Sequence, residues 1–265
     1  MRPLVVLASL LVLAAPAAAS PVSLVSGWPG VASPSGSFHY VTRAHGGDTI
    51  VSKIRTRDRH VVARRVVHGS FGVARIAVDA STVGVSGDGR TLVLASQPAR
   101  DKTRFVALST AGLAARSTVS LDGMWSLDAL SPDGATMYLI RYGDGYYEVR
   151  SYSLAAQELN PNVIVDKREL GEPMTGYAVA RAEPRGGGWA YTLYARPGRT
   201  PFVHALDTTQ GAAICIDLPW KLSASTAEKL RLKLVGTTIV VTKLGGTRVA
   251  TIDTSRYVAR SIRRP

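Results

Sequence analysis

The chain has 265 residues, of which 46% are apolar and 19% charged, and its net charge is +13. This length suffices for one large domain with a sizeable core, and the composition is too apolar for a disordered protein. The single cysteine excludes a disulfide framework and any metal site built from several thiolates.

The first nineteen residues predict a signal peptide. Arg2 precedes an apolar run over residues 4–13, and Ala17-Ala18-Ala19 offers small side chains to a signal peptidase. The run is shorter than the ~20 residues that a membrane-spanning helix needs. We therefore expect an exported protein, secreted or held in the cell envelope. Residues 20–265 would form its single domain, with no transmembrane segment after signal removal.

A turn-like tetrad recurs along the chain, each time before a short run of strand-forming residues. Proline fixes φ in such a turn, aspartate bonds locally and glycine accepts a positive φ. The final glycines of the four copies are 53, 45 and 53 residues apart. A fifth strand-forming run follows Gly236 without a tetrad. The copies are Ser33-Pro34-Ser35-Gly36, Ser86-Gly87-Asp88-Gly89, Ser131-Pro132-Asp133-Gly134 and a degraded Pro184-Arg185-Gly186-Gly187.

Each repeat has room for four short strands. We expect residues 22–28 to form the first inner strand and residues 258–264 the last outer one. Residues 70–86 hold more chain than the repeat requires, and Ser225 is expected to cap a helical turn within residues 223–232. In the two most regular repeats the predicted strands are residues 125–130, 137–142, 147–154 and 162–167, then 177–182, 189–195, 202–207 and 213–218.

These motifs resemble known bacterial repeats. Residues 131–138, Ser-Pro-Asp-Gly-x-x-x-Tyr, resemble TolB-like and WD-repeat-like propellers, although the chain has no Gly-His or Trp-Asp pair. Residues 249–254, Val-x-x-Ile-Asp-Thr, resemble exported propellers of the Tyr-Val-Thr-Asn repeat type. Five four-stranded repeats of this length predict an all-β fold, a β-propeller with five four-stranded blades, and the resemblance implies the same architecture. An open β-sandwich or two packed sheets is the alternative.

Two groups of basic residues are candidates for a basic rim. Lys53, Arg55, Arg57 and Arg59 alternate, so that on a strand they would share one face at a spacing of roughly 6.7 Å. Arg260, Arg263 and Arg264 would join them if the first and last repeats abut. Such a rim could bind an anionic wall polymer, or it could be a solvated surface. Because the protein is expected outside the cytoplasm, we expect no nucleic-acid partner.

The resemblance also implies binding through the loops at one mouth of a central channel. We expect a non-catalytic binding or scaffolding module, monomeric, whose partner is an envelope protein or an anionic wall polymer. No metal or other cofactor is expected. The aromatic side chains in these loops could equally pack between blades. The candidate ligand-binding residues are Trp125, Tyr142, Tyr146, Glu172, Trp220 and Lys221.

The alternative function is a propeller hydrolase or lyase acting on a carbohydrate or lactone. A glycosidase needs two carboxyl groups ~5 to 9 Å apart. No Gly-x-Ser-x-Gly elbow occurs, and no histidines have metal-ligand spacing. The carboxylates that could face the channel are Asp79, Asp122, Asp128, Asp144, Glu169 and Glu172.

Overall fold

The computed structural model describes residues 23–166, 174–196 and 198–265, and the predicted signal peptide lies outside them. Within these ranges the regular structure is β, apart from helix α1 (Ala224–Ala227). The strands of the first half are β1 (Leu24–Val25), β2 (Val31–Ala32), β3 (Phe38–His45), β4 (Asp48–Arg55), β5 (Val61–Val67), β6 (Val73–Arg75), β7 (Thr82–Val83), β8 (Thr91–Ala95), β9 (Lys102–Ser109) and β10 (Ala115–Asp122). Those of the second half are β11 (Trp125–Leu130), β12 (Thr136–Tyr142), β13 (Tyr147–Ser153), β14 (Glu158–Leu159), β15 (Tyr177–Ala182), β16 (Trp189–Ala195), β17 (Phe202–Asp207), β18 (Ala212–Asp217), β19 (Leu230–Val235), β20 (Thr238–Lys243), β21 (Arg248–Asp253) and β22 (Val258–Ser261).

The strands form six antiparallel sheets. Sheet 1 contains β2–β5, sheet 2 β8–β10, sheet 3 β11–β14, sheet 4 β15–β18 and sheet 5 β19–β22. Each of these five is a meander in chain order, and a small sheet joins β1, β6 and β7. The predicted all-β class is therefore confirmed.

The tetrads are tight turns, as predicted, and each lies between the first two strands of a repeat. In every copy the glycine amide donates to the carbonyl of the first residue, for example from Gly134 to Ser131 at 2.9 Å. The glycines have φ between 69° and 74°, a conformation that favours glycine. The serine hydroxyl adds a second bond, since Ser131 Oγ accepts the amide of Thr136 at 2.9 Å. We call these four segments the tetrad turns.

Strand bounds follow the prediction closely in sheets 3 and 4, where β11, β15, β16 and β17 begin and end at the predicted residues. The fourth strand of sheet 3 was predicted at residues 162–167, and within that range Ile164 pairs with Val149 of β13. The regular pairing begins earlier than predicted, at Glu158–Leu159, because the chain turns back at once through Gln157, whose φ is 54°.

Two predictions were wrong at the ends of repeats. Residues 22–28 do not form the first strand of sheet 1, because Val31–Ala32 pairs with β3 while Leu24–Val25 pairs with β6. The helical turn is present, but its N-cap is Ser223 and not the predicted Ser225. The Ser223 side chain accepts a hydrogen bond from Thr226 N.

The surplus chain at residues 70–86 forms a hairpin, β6–β7. This hairpin lies between two short segments that each pair with β8 of sheet 2. Gly72 pairs with Ala95 before the hairpin and Val85 pairs with Leu92 after it. Its tip reaches sheet 4, where the amides of Val78 and Asp79 donate to carbonyls of β15 at 3.1 and 2.9 Å. We call β6–β7 and its tip the inserted hairpin.

Three apolar clusters hold the sheets together. One joins sheets 1 and 2 through residues such as Tyr40 and Leu108. The largest joins sheets 2, 3 and 4, and a third joins sheets 4 and 5 around Leu193 and Ile239. Among the described residues no such cluster joins sheet 5 to sheet 1. No helix in this part of the chain is long and apolar enough to cross a membrane.

Candidate functional site

A cavity of about 290 Å³ opens where the tetrad turns meet. The turns touch directly, since Asp88 N donates to Pro132 O at 2.8 Å and the Cα of Gly87 lies against Gly187. Strands of sheets 1, 3 and 4, strand β7 and the tetrad turns supply the walls. The lining residues are Val31, Ala32, Ser33, Pro34, Thr82, Val83, Gly84, Val85, Gly87, Ala129, Leu130, Glu183, Pro184, Arg185, Gly187, Trp189, Ala190 and Thr208.

The inserted hairpin contributes Thr82 and Val83 to the cavity lining, and the segment that follows it adds Gly84 and Val85. Thr82 Oγ1 donates to Gly30 O at 2.9 Å, which ties the hairpin to the chain that enters sheet 1. At the tip, Arg181 N donates to Asp79 Oδ2 at 3.3 Å, which ties it to sheet 4. The hairpin therefore spans the space between these sheets and gives the cavity a floor.

Most of the cavity wall is small or apolar, and two charges stand among the lining residues. The Glu183 side chain is 50% exposed and lies 3.5 Å from Arg181 Nη2. Arg185 is exposed and forms no ion pair with the described residues. The Trp189 ring stacks on Tyr191 at 5.8 Å between centroids. The cavity therefore offers a ligand both polar and apolar contacts.

A buried ion pair lies directly behind Glu183. Arg181 Nη1 donates to Asp128 Oδ1 at 2.8 Å, and both side chains are at most 3% exposed. The same nitrogen reaches Thr192 Oγ1 at 2.7 Å. Burial opposes the charge of Arg181, but Asp128 and Glu183 outweigh it, so the pKa of the guanidinium is raised. The pair fixes sheet 3 to sheet 4 behind the cavity.

Beside this pair the interface of sheets 3 and 4 contains further buried polar groups. The rings of Tyr147 and Tyr194 stack at 4.8 Å, and burial raises the pKa of both hydroxyls. His204 Nδ1 lies 3.7 Å from Cys215 Sγ, while His204 Nε2 is buried without a hydrogen-bond partner. Burial, the largest cause, lowers the pKa of His204. The imidazole is therefore held neutral.

This histidine predicts a loss of stability in acid. Because its pKa is lower in the folded chain than the ordinary 6.5, the unfolded chain takes up the proton first. We expect the free energy of unfolding to fall as the pH drops below 6.5, by up to about 1.4 kcal/mol per pH unit until His204 itself titrates. Urea titrations between pH 8 and 5 measure this. The His204→Gln variant should lose that slope, and His45→Gln, an exposed histidine, should keep it.

The aromatic residues chosen from the loops do not converge on this cavity. Trp125 is 3% exposed, and its Nε1 donates to Asp122 O at 2.9 Å. Tyr142 shares a 3.0 Å hydrogen bond with Ser126, whereas Tyr146 is 40% exposed. All three belong to the end of sheet 3 away from its tetrad turn.

The remaining chosen residues lie elsewhere. Trp220 Nε1 donates to Ser261 Oγ in β22 at 3.2 Å, so its ring belongs to the junction of sheets 4 and 5. Lys221 next to it is exposed, and Glu172 falls outside the described residues. The sequence pattern missed Glu183, Arg185 and Trp189. Their signal was the departure of the fourth tetrad from Ser-Pro-Asp-Gly, which places Arg185 in the turn.

The predicted row of cations at residues 53–59 does not lie on one strand. β4 ends at Arg55, because Asp58 closes a turn by accepting the amide of His60 at 3.1 Å. Asp58 also pairs with Arg55 at 2.9 Å and Arg57 at 3.6 Å. Lys53 Nζ donates to Thr110 O at 2.9 Å within the interface of sheets 1 and 2. This half of the predicted rim is thus largely paired.

The other members of the predicted rim are less constrained. Arg59 covers the ring of Trp28 at 4.7 Å. Arg260, Arg263 and Arg264, at the C-terminal end, are exposed. Whether the two groups form one rim stays a prediction.

Of the carboxylates named for catalysis, Asp122 and Asp144 are exposed, and Glu169 and Glu172 fall outside the described residues. Asp79 and Asp128 both bind Arg181, and Asp128 is 1% exposed. The cavity offers one carboxylate, Glu183. No three His, Cys, Asp or Glu side chains of the described residues come together as metal ligands.

Comparisons with known proteins agree on the architecture. No protein-family model matches the chain, and no curated protein matches its sequence. The β-propeller domain of Cps50 (Swd1) from Myceliophteria thermophila superposes with a TM-score of 0.50 at 13% identity, over 84% of this chain and 63% of that domain. An acylaminoacyl peptidase gives 0.52 at 11% identity, over 89% of this chain and 38% of the peptidase.

TolB from Acinetobacter baumannii is also similar, with a TM-score of 0.48 at 10% identity. The match covers 90% of this chain, which spans only 53% of TolB. The two matches with TM-scores of 0.50 and 0.52, at identities this low, show a likeness of fold and nothing further. The chain is therefore similar in fold to known β-propellers, as the resemblance of its repeats to TolB-like and WD-repeat-like propellers implied.

Proposed function

We propose that this chain is an exported binding module that accepts a segment of an envelope protein in the cavity between its tetrad turns. The observation that carries the proposal is the cavity itself. Its lining residues are mostly small, they include the second strand of the inserted hairpin, and one acid and one base, Glu183 and Arg185, stand among them. Such a site can hold a peptide segment through polar and apolar contacts while the two charges orient it.

We propose further that the domain has five blades. Sheets 1, 3, 4 and 5 are four-stranded meanders. Sheet 2 has three strands, and the pairings of Gly72 and Val85 with β8 supply the outline of its first strand on either side of the inserted hairpin. Counted this way, five blades account for every strand except β1 and the hairpin.

The signal peptide predicted at residues 1–19 supports the extracytoplasmic location. A rigid framework of blades with the contacts made by turns also suits a monomeric scaffold. The hydrolase or lyase remains the second candidate, but the buried and paired state of Asp128 favours binding over catalysis, because a carboxylate held by Arg181 does not reach a substrate.

Blocking the cavity should abolish binding without affecting the fold. Ala32 is exposed and lines the cavity, so Ala32→Trp would fill it. Ala44 is equally exposed on β3 but lies outside the cavity lining, so Ala44→Trp is the matched control. We expect peptides selected from a display library of extended heptapeptides on the wild-type chain to bind Ala32→Trp at least about tenfold more weakly, a loss of about 1.4 kcal/mol.

The same peptides should bind Ala44→Trp with unchanged Kd, measured by titration calorimetry. Equal binding to both variants would exclude the cavity as the peptide site. Two results would instead support the hydrolase or lyase. One is cleavage of a selected peptide, and the other is turnover of a glycan or lactone that is lost in Ala32→Trp.

A further inference from the structure

One face of sheet 5 has no partner sheet among the described residues. Along its strands the side chains alternate, and Ile239, Val241 and Ile252 pack toward sheet 4 in the third apolar cluster. The residues between them point to the opposite face, and those are exposed or half-buried. We call this the outer face of sheet 5.

The outer face carries cations that the strand register places in two rows. Lys233 of β19 is opposite Val240, Val240 opposite Thr251, and Thr251 opposite Arg260 of β22. In the next row Arg231 is opposite Thr242, and Thr242 opposite Arg248. A bulge beside Thr242 keeps Arg248 on this face while Val249 and Ala250 stay in the core.

These four cations have no acidic partner in the part of the chain that the structure describes. Residues 229–265 contain nine basic residues and one acidic residue, Asp253. Asp253 is engaged by the amide and hydroxyl of Ser255 at 2.9 and 2.6 Å and lies 3.8 Å from Arg256. Arg231 Nη1 donates only to backbone carbonyls, at 2.8 and 2.7 Å. The positive field of the face is therefore not cancelled locally.

The spacing of the cations suits a chain of anions. Neighbours along β19 are about 6.7 Å apart, and Arg231 and Arg248, two strands apart, are about 9.6 Å apart. Threonine hydroxyls between the cations, on Thr242 and Thr251, can donate to the same oxygens. All residues of the face are described, and it offers no tryptophan, phenylalanine or leucine with which surface proteins usually enter a bilayer.

We infer that the outer face of sheet 5 is a docking surface for a linear polyanion whose phosphodiester groups repeat every few ångströms. Lys233 and Arg260, three strands or about 14 Å apart, would bind non-adjacent phosphates of such a chain, with Arg231 and Arg248 in the parallel row. The charge pattern of the face is independent of where the protein is located. Only the identification of the polymer as a component of the cell wall rests on the proposed extracytoplasmic location. The inference is independent of the cavity, because no residue of sheet 5 lines that cavity.

Binding of purified poly(glycerol phosphate) to the mature chain tests this surface. The variant is Lys233→Gln/Arg260→Gln. The control is Arg64→Gln/Arg65→Gln, which removes the same charge from two exposed arginines of β5 that form no ion pair among the described residues. At 0.15 M salt we expect the first variant to bind at least tenfold more weakly. The slope of log K against log salt should fall by about 1.4, or roughly 0.7 for each cation removed.

The control should bind as the wild type does, and so should Ala32→Trp, which separates this surface from the cavity. Equal weakening of both double variants would overturn the inference, because net charge alone would then explain binding. Binding to vesicles of an anionic phospholipid in preference to the polymer, abolished in the first variant, would overturn it in favour of a membrane surface. Thermal unfolding of each variant confirms that the fold is retained.

Discussion

Replacing Asp128 by asparagine is expected to lower the free energy of unfolding by about 3–5 kcal/mol. The substitution keeps the shape of the side chain but removes its charge. Arg181, 3% exposed, would then be a buried cation whose nearest remaining carboxylate is the half-exposed Glu183 at 3.5 Å. Urea unfolding followed by circular dichroism measures the change.

A surface pair provides the matched control. Arg196 Nη2 lies 2.9 Å from Asp217 Oδ1, the same kind of contact, but the Asp217 side chain is 59% exposed. Asp217→Asn should therefore change the stability by less than about 1 kcal/mol. The double variant Asp128→Leu/Arg181→Met should recover much of the loss, because it leaves no unpaired charge. A cost below about 1 kcal/mol for Asp128→Asn would show that water or Glu183 replaces the missing partner.

The ion pair matters for function because of the chain segments it connects. Asp128 belongs to sheet 3, Arg181 to sheet 4, and the amide of Arg181 holds Asp79 at the tip of the inserted hairpin. Glu183, two residues further on, lines the cavity. Replacing Asp128 should therefore displace both Glu183 and the inserted hairpin, which line the cavity. We expect peptide affinity to fall together with stability.

Local features of the sequence were sufficient to predict the regular repeats. A turn such as Ser131-Pro132-Asp133-Gly134 determines its own geometry, since its φ values and hydrogen bonds involve neighbours in sequence. The alternating residues that follow fit a strand whatever it packs against. For this reason β11 and β15 were predicted to the residue, and the resemblance to propellers followed from their spacing.

Contacts between distant segments were not predictable in this way. The surplus length of residues 70–86 was visible in the sequence, but its destination depends on the carbonyls of Ala178 and Val179, about a hundred residues away. The alternation from Lys53 to Arg59 predicts one strand, but Asp58 accepts the amide of His60 and forms a turn. This local side-chain hydrogen bond competes with the backbone pairing of a strand. The aromatic candidates lie away from the cavity, at the other end of sheet 3 and at the junction of sheets 4 and 5, and their role in binding stays a prediction.

One close approach beside the cavity is possible only for glycine. The Cα of Gly87, in the second tetrad turn, faces the carbonyl of Gly186 in the fourth, and a Cβ there would overlap Gly186 O. The φ of Gly87 is not among the positive values, so the requirement is one of space. Gly87→Ala should therefore force the two turns apart and lower the free energy of unfolding by about 1–3 kcal/mol.

Gly186→Ala is the matched control, because it lies on the other side of the same contact with nothing within 4 Å of its Cβ and no positive φ. It should leave stability nearly unchanged. Thermal unfolding of the two variants gives the difference directly, and a similar cost for both would mean that the turns do not touch. A cost for Gly87→Ala alone would show that the second and fourth tetrad turns are in contact. Because Gly87 and Gly187 line the cavity, peptide binding should then weaken in that variant alone.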